Sequence, residues 1–470
     1  MKFLFVQKNS FPAAGPMVIS ALLKKHGHSV DLLLAGEEKK LVRKIIEVNP
    51  DILGIPCFTD QYMWPVKIFR QVKRKNPKIL TLLGGPHPTY YPDIIKMDGV
   101  DAIARGESEY AILEMMERLK KGESLRGIEG IWLKLDSAIE KNEIACLPPD
   151  LDELPLPDRE IYYKYKFLRD VSVKQFLSGR GCPFQCSFCA NNILKKLYRG
   201  KGKFLRRRDP EGVVREILDV KKKYGLKTVS FTDDVFIINE DWLKIFLPLY
   251  KKSVGLPFMC NVTANLVTES IVQLLKENGC YGVSMGIESG NEKIRREVLQ
   301  KNISNDQIVG AANLVKKHGL ILKTYNILCL PEETVQDALD TLELNAKIKS
   351  DFAACSLLQP YPDYDITEYA KKRNFLPADY GLKNIGGGIY RSSPLAIKDK
   401  NKFVNLQKLF FLGVKIPWTI PLIKKLIKFP PNIFFGFVGK AMYGLFMSRV
   451  HRLTWKDILN YALHVDPYDV

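Results

Sequence analysis

Long apolar runs are missing from this chain. A membrane-crossing helix needs about 20 consecutive apolar residues, and no stretch of the 470 residues has that character. Nothing at the start reads as a secretory leader: Met1–Gln7 has the pattern of a strand and Ser10–Gly15 that of a loop. Cysteine is present without a pairing framework. Of nine cysteines, six are scattered singly, as expected of reduced thiols in an intracellular protein. Internal repeats and low-complexity segments are absent too. The chain is therefore expected in the cytoplasm. What it has in excess is positive charge: 71 Lys and Arg against 52 Asp and Glu, a net +19. That balance fits nucleic acid, an anionic membrane surface or an anionic substrate, and does not choose among them. The length suits two or three domains at roughly 100–200 residues each, and a hydrophobic share of 46% is enough to fill their cores.

Three regions separate by pattern. Up to about Lys134, short apolar runs (Lys2–Val6, Ser29–Leu34, Ile52–Pro56, Ile79–Leu83, Val100–Ala104, Gly130–Leu133) alternate with helical stretches such as Met17–His26 and Val66–Arg74. Strands alternating with helices predict a doubly wound, Rossmann-like α/β domain over residues 1–147. "PPDLDELPLP", Pro148–Pro157, is rich in proline and acid and opens a linker, 148–170. Over 171–375 the alternation resumes, with strands at Gln175–Leu177, Thr228–Thr232, Phe258–Val262, Gly282–Gly286, Leu320–Leu328 and Phe352–Leu357. Five helices fall between or after them, the first capped by Asp209 with Pro210 at its first position. Six strand–helix units predict a partial (β/α)6 barrel of the TIM type, with chemistry at the carboxyl ends of the strands. Residues 376–470 are basic, aromatic and mostly helical in pattern.

The densest chemical signal is "GRGCPFQCSFCANN", Gly179–Asn192, where Cys182, Cys186 and Cys189 follow the first barrel strand. Thiolates suit zinc or iron–sulfur clusters. A closed zinc site takes four ligands, and no fourth Cys or His is near; the next cysteine is Cys260. Three thiolates on a four-iron cluster would leave one iron open to a ligand from outside the protein. A zinc knuckle completed from afar, in a nucleic-acid-binding protein, is the competing reading.

This Cys-x3-Cys-x2-Cys spacing resembles the signature of the radical S-adenosylmethionine (SAM) superfamily. The resemblance implies that Cys182, Cys186 and Cys189 hold a four-iron cluster whose open iron is chelated by SAM, and that reductive cleavage of SAM yields a 5′-deoxyadenosyl radical acting on an unactivated carbon. Phe188 then holds the position that lies against adenine. Four further segments carry the likeness across about Val171–Ala370. "FTDDVF" offers Asp233 and Asp234 for the SAM ammonium, although either acid could simply cap the next helix. "CNVTAN" offers Thr263 where relatives often carry arginine. "MGIESG" offers Glu288, otherwise an acid in a turn. "YNILCLPEET" carries Cys329 where relatives often carry glycine.

The first region resembles the cobalamin-binding domain that precedes one large class of these enzymes. The likeness rests on Phe11–Val30, "LLGGPHPTYYPD" (Leu82–Asp93) and "ARGESEYAILEM" (Ala104–Met115). It implies corrin and tail contacts from Gly84, Gly85, Pro86, His87, Pro88 and Thr89, from Gly106 and Glu107, and from Thr59. The Asp-x-His-x-x-Gly pattern that places histidine on cobalt is absent, so no histidine ligand is expected; His87, between two prolines, has packing as its ordinary role.

The resemblance therefore implies a cobalamin-dependent radical SAM enzyme with three cofactors: a four-iron cluster, SAM and cobalamin. C-methylation from methylcobalamin is the leading expectation, with non-methylating rearrangement, cyclisation or C–C bond formation as the alternative. A methylthiotransferase would need more cysteines than Cys57 and Cys146 before the triplet. The substrate is expected to be a small or lipid-like molecule, the electron donor a flavodoxin or ferredoxin, and nucleic acid is not expected as a partner. No catalytic acid or base is assigned. Pro417–Arg452 is either a helical lid over the barrel or an amphipathic element on the inner face of the membrane, with Lys424, Lys425, Lys428, Arg449 and Arg452 flanking Ile433–Met447.

Overall fold

The computed structural model describes residues 1–136, 138–385, 388–450, 452–454 and 457. They fall into two compact units, 1–170 with 193–206, and 171–192 with 207–457.

The first unit is built on a seven-stranded sheet. Its strands are β1 (Lys2–Gln7), β2 (Ser29–Leu34), β3 (Ile52–Pro56), β4 (Leu80–Gly84), β5 (Ala102–Ala104), β6 (Ile131–Lys134) and β7 (Ile139–Lys141), in the order 2-1-3-4-5-6-7. The first five pair in parallel; β6 and β7 are antiparallel. The central strands are apolar on both faces, with Phe3, Leu4, Ile52 and Leu53 fully buried, because helices cover both sides of a parallel sheet. Strand order reverses between β1 and β3, where such sheets open a crevice beyond their carboxyl ends.

The segment expected as a linker groups with the first unit. Residues 148–170 form a strap on the first unit, with two short helices, Glu160–Tyr163 and Lys166–Arg169. Asp158 donates its amide to Met17 O at 3.0 Å and accepts from Ser20 Oγ at 2.6 Å. Tyr162, fully buried, donates to Gln7 Oε1 at 2.6 Å. Proline and acid set the extended start of the strap; the apolar residues after it, Ile161 to Tyr163, decide that it packs.

The second unit carries β8 (Val173–Phe176), the two-residue strands β9 (Gly179–Arg180) and, at the junction of the units, β10 (Arg206–Arg207), and then β11 (Thr228–Phe231), β12 (Phe258–Val262), β13 (Cys280–Glu288), β14 (Ile321–Leu328) and β15 (Phe352–Leu357). Six of them form one parallel sheet in the order 8-11-12-13-14-15. Each neighbour in this row follows the last through a helix, the arrangement of a barrel left open on one side. The helix Pro210–Tyr224 starts as expected, with Asp209 accepting from the amides of Glu211 and Gly212. Under β11 and β12 an aromatic cluster fills the core: Phe246 stacks on Trp242 at 4.5 Å and meets Phe231 edge-on at 5.6 Å. The helix Lys400–Lys415 packs on β15 and on the helix Val335–Lys347. It is followed by the helices Ile420–Leu426 and Ile433–Val450. No helix among the described residues is long and apolar enough to cross a membrane. Arg449 lies inside the last helix but its side chain, with most of 451–470, is outside the described residues.

Phe246→Ala should therefore destabilise this unit by about 3–5 kcal/mol, the cost of deleting a fully buried aromatic side chain. Its neighbour Ile245 is 63% exposed, and Ile245→Ala should stay within about 0.5 kcal/mol of the parent. Denaturant unfolding followed by tryptophan fluorescence distinguishes the two.

Candidate functional site

The cysteine loop leaves the carboxyl end of β8 and is pinned at three points. At its start, Ser178 donates its amide (3.1 and 3.2 Å) and its hydroxyl (2.7 Å) to the buried carboxylate of Asp233. Arg207 donates to the same carboxylate at 3.0 Å and to Val235 O at 3.0 Å. Midway, Ser187 donates its amide to Leu299 O at 3.0 Å and its hydroxyl to Val298 O at 2.6 Å, while its carbonyl accepts from Ile366 at 3.1 Å. At its end, Asn192 donates to Asp365 at 2.8 Å. Between these anchors Cys189 donates its amide to Cys186 O at 3.1 Å, closing a tight turn.

The three thiols and a ring of charges share one space. Burial pushes the Cys186 thiol up to about 12; Cys189, Glu288 and Cys182 push the same way, and Lys301 opposes them. Burial also raises Cys189, and Asp234 and Glu288 add to it. A thiol in such surroundings resists ionisation until a cation compensates it. No three His, Cys, Asp or Glu side chains among the described residues converge as one metal ion would require. A four-iron cluster asks for something else, since each thiolate binds a different iron and the sulfurs must surround a volume rather than meet at a point. Three thiols that share one space, Cys182 buried and Cys186 and Cys189 half-buried, fit that group.

The acids divide by role. Asp233 is 3% exposed and engaged by Ser178 and Arg207; burial raises its carboxyl, and Arg207 and Ser178 pull it down. It holds the loop through Ser178 and Arg207. Asp234 is the member of the pair that faces the cysteines. It reaches solvent, hydrogen-bonds the Asn191 side chain, and is raised by lost hydration. Glu288 ends β13 with φ of 68°, accepting from Lys301 Nζ at 2.9 Å. Lys301 also donates to Gly286 O at 2.7 Å. A Cβ on Gly286 would lie 2.2 Å from Glu288 Oε1, so this glycine makes room for the ion pair. Thr263 turns into its own loop, donating to Asn265 at 2.7 Å. Phe188 is half-buried. Cys329 sits at φ of 66°; the backbone there asks for the glycine common in relatives, and the chain holds a cysteine in it.

Ser178, Arg207, Asn191 and Lys301 were not singled out in the sequence. Arg207 lies within "LRRRD", indistinguishable from a solvated basic run, and Lys301 is one lysine among many.

In the first unit, the segment from Gly84 to Thr89 turns at Gly85, whose φ is 90° and where a Cβ would lie 3.2 Å from Cys57 N. His87 is 1% exposed, stacks on Tyr62 at 4.8 Å, and lies 3.3 Å from Thr59 Oγ1 through Nδ1. Burial lowers its pKa to about 4, so it is neutral at ordinary pH. Pro88 and Thr89 are buried with it, Thr89 donating to Gly85 O at 2.8 Å and accepting from Gly106 N at 2.9 Å. His87, Thr59, Pro88 and Thr89 therefore support the loop from beneath. Gly106 has another explanation as well: a Cβ there would lie 2.0 Å from Tyr198 Oη. Glu107 pairs with Arg206 and gives its amide to Tyr198. Of the expected contacts, Gly84, Gly85 and Pro86 remain at the surface. Next to them opens a cleft that the sequence reading missed, lined by Gln7, Lys8, Asn9, Phe58, Gln61 and Trp64 at the carboxyl ends of β1 and β3.

Known families and structures agree with this geometry. Residues 5–115 match the B12 binding domain and residues 176–344 match the radical SAM superfamily. An uncharacterized methyltransferase of Pyrococcus horikoshii is 29% identical over 341 residues, covering 72% of each chain. The anaerobic magnesium-protoporphyrin IX monomethyl ester cyclase of Rubrivivax gelatinosus is 27% identical over 395 residues, 78% of this chain and 69% of that one. Among solved structures, the radical S-adenosylmethionine methyltransferase TsrM of Kitasatospora setae, with cobalamin and a four-iron, four-sulfur cluster bound, superposes with a TM-score of 0.67 at 17% identity, over 84% of this chain and 79% of that one. An open parallel half-barrel with three facing cysteines at its carboxyl end, in a chain that begins with a B12-binding sheet, belongs to the cobalamin-dependent radical SAM enzymes.

Proposed function

We propose that this protein is a methyltransferase that alkylates an unactivated carbon of a small or lipid-like molecule. The observation that carries the reading is the shared space of Cys182, Cys186, Cys189, Asp234, Glu288 and Lys301 at the mouth of the half-barrel. When bound, the cluster with SAM supplies a carbon-centred radical and the corrinoid supplies a methyl group. Everything else is the work of this chain. Cys182, Cys186 and Cys189 hold three irons. Asp233, Ser178 and Arg207 keep the loop on the end of β11. Asp234 and Glu288 accept from the ammonium and hydroxyl groups of SAM, Phe188 covers its adenine, and Thr263 borders it. Lys301 holds Glu288 in place beside the thiols by donating to its carboxylate at 2.9 Å. Gly84, Gly85 and Pro86, at the surface of their loop, contact the corrin and its tail; His87 stays packed in the protein and off the cobalt. The methyltransferase from Pyrococcus horikoshii supports methyl transfer. The Rubrivivax gelatinosus cyclase supports a second reading on the same site, radical cyclisation without methyl transfer.

As working boundaries we take 1–147 for cobalamin and 171–375 for the radical chemistry, joined by 148–170, with 376–470 as the C-terminal region. Radical SAM chemistry needs a reductant, for which a flavodoxin or ferredoxin is the fitting donor, and the cytoplasm the fitting compartment. Contact of 417–452 with a membrane is taken up below.

Replacing any one of Cys182, Cys186 or Cys189 by alanine should remove most of the bound iron and reduce SAM cleavage by at least ~10³-fold. Iron analysis and product chromatography measure both; a single alanine variant that retained wild-type iron and turnover would remove the basis of the assignment.

The two aspartates should behave differently. Asp234→Asn should keep cluster and fold and weaken SAM binding by about ten-fold or more, the worth of one charge-assisted hydrogen bond at about 1.5–3 kcal/mol. Asp233→Asn should destabilise the unit by about 3–5 kcal/mol, because Arg207 is left buried without its partner. Equilibrium binding of SAM and thermal unfolding tell the two outcomes apart.

A further inference from the structure

The C-terminal helices present an apolar tip that the reaction does not use. Eleven large apolar side chains are exposed among the described residues, and six of them lie between positions 418 and 437: Trp418 (79% exposed), Leu422 (52%), Phe429 (58%), Ile433 (92%), Phe434 (68%) and Phe437 (69%). Isolated exposed apolar residues are ordinary; a concentration of this kind marks a surface that meets something. Phe429 to Phe434 are consecutive exposed residues at the turn between the helices Ile420–Leu426 and Ile433–Val450, and Phe437 extends the face by one helical turn.

The tip is held out on a firm base. Ile423, Ile427 and Phe435 are buried on the inner side of the same hairpin. Asn405, fully buried in the helix Lys400–Lys415, donates to Phe429 O at 2.7 Å and to Ile427 O at 3.3 Å, fixing the backbone of the turn. Asn432 caps the following helix, accepting from the Phe435 amide at 3.0 Å. The apolar residues therefore protrude because the backbone is fastened, and not because the segment lacks a place to pack.

The charge around the tip identifies its partner. From Lys400 to Lys456 the sequence has no aspartate or glutamate, and eleven lysines and arginines. Lys425, Lys428 and Lys440 are exposed beside the apolar residues, and Lys424 pairs with Glu343 at 2.8 Å. A second copy of this chain would bring like charges together over the same area. An anionic bilayer offers both things the surface asks for: acyl chains for Phe and Ile, phosphates for lysine, and an interfacial level suited to tryptophan.

We propose that residues 417–440 are a monotopic docking element that inserts Phe429, Ile433, Phe434 and Phe437 into the headgroup boundary of an anionic membrane. The proposal is independent of the chemistry at the cysteine loop, because the element would dock whatever reaction the barrel performs.

The test is co-sedimentation of the full chain, as purified with its cofactors, with vesicles of phosphatidylcholine alone or mixed with phosphatidylglycerol, at low and high salt. Wild-type protein should follow the anionic vesicles and be largely released at ~0.5 M salt. Lys425→Gln with Lys428→Gln should weaken capture by about five-fold for each lysine. Ile433→Ser, Phe434→Ser and Phe437→Ser together should abolish capture at either salt while leaving iron content and SAM cleavage unchanged. Brominated lipid should quench a fluorescence component that disappears in Trp418→Phe. Equal capture by neutral and anionic vesicles, or wild-type capture of the triple serine variant, overturns the proposal. So does a dimer that the triple variant dissolves without any lipid dependence. Failure of SAM cleavage in wild-type protein with vesicle binding intact would instead strike the function proposed above.

Discussion

Asp233 stands at the carboxyl end of β11 with its side chain out of water, and three donors converge on it: the Ser178 amide, the Ser178 hydroxyl and the Arg207 guanidinium. The carboxylate compensates the buried arginine, and the arginine also carries the backbone of Val235. A buried charge that loses its partner is costly, by about 3–5 kcal/mol. The start of the cysteine loop therefore cannot drift from β11 without exposing that cost. The rest of the site depends on this fixed point, since Ser187 and Asn192 complete the loop's anchoring only if its first residue is already in place.

Given a fixed loop, the electrostatics follow from burial. Burial pushes the Cys186 thiol up to about 12 and raises that of Cys189 as well. Glu288 and Asp234 add negative potential to the same space, and Lys301 is the cation that offsets it. Such a site disfavours thiolate at Cys186 and Cys189 in the protein alone and favours a strongly cationic group beside them. The acids then face the ligand that completes the cluster. Lys301 reaches Glu288 only because Gly286 leaves the space open, which gives one glycine of "MGIESG" a role in charge placement.

Much of the architecture was legible because parallel strands buried on both faces read as apolar runs. Ser29–Leu34, Ile52–Pro56, Phe258–Val262 and Phe352–Leu357 form as expected, residue for residue. The cysteine spacing was legible because all three ligands lie within one loop. Contacts made across the fold were not. Asp233 and Asp234 are adjacent and chemically identical, and only the position of Arg207 tells which one is structural. His87 lies in the expected segment, yet Tyr62 and Thr59 draw it inward. The packing of 148–170 is not visible in its prolines because Gln7, Met17 and Ser20, the residues that hold it, are more than a hundred positions away. The fastened hairpin that exposes Phe434 is equally invisible in sequence, where an exposed and a buried phenylalanine look alike.

The central claim is that this site, supplied with cluster, SAM and corrinoid, moves a methyl group to carbon. The most direct measurement is anaerobic incubation of the reconstituted protein with methyl-deuterated SAM, a reductant and cell extract, followed by mass spectrometry. The account predicts 5′-deoxyadenosine together with a product carrying the deuterated methyl on carbon, and loss of that product when cobalamin is withheld. Zinc in place of iron in the purified protein, or a product with no deuterium that forms equally well without cobalamin, would contradict it.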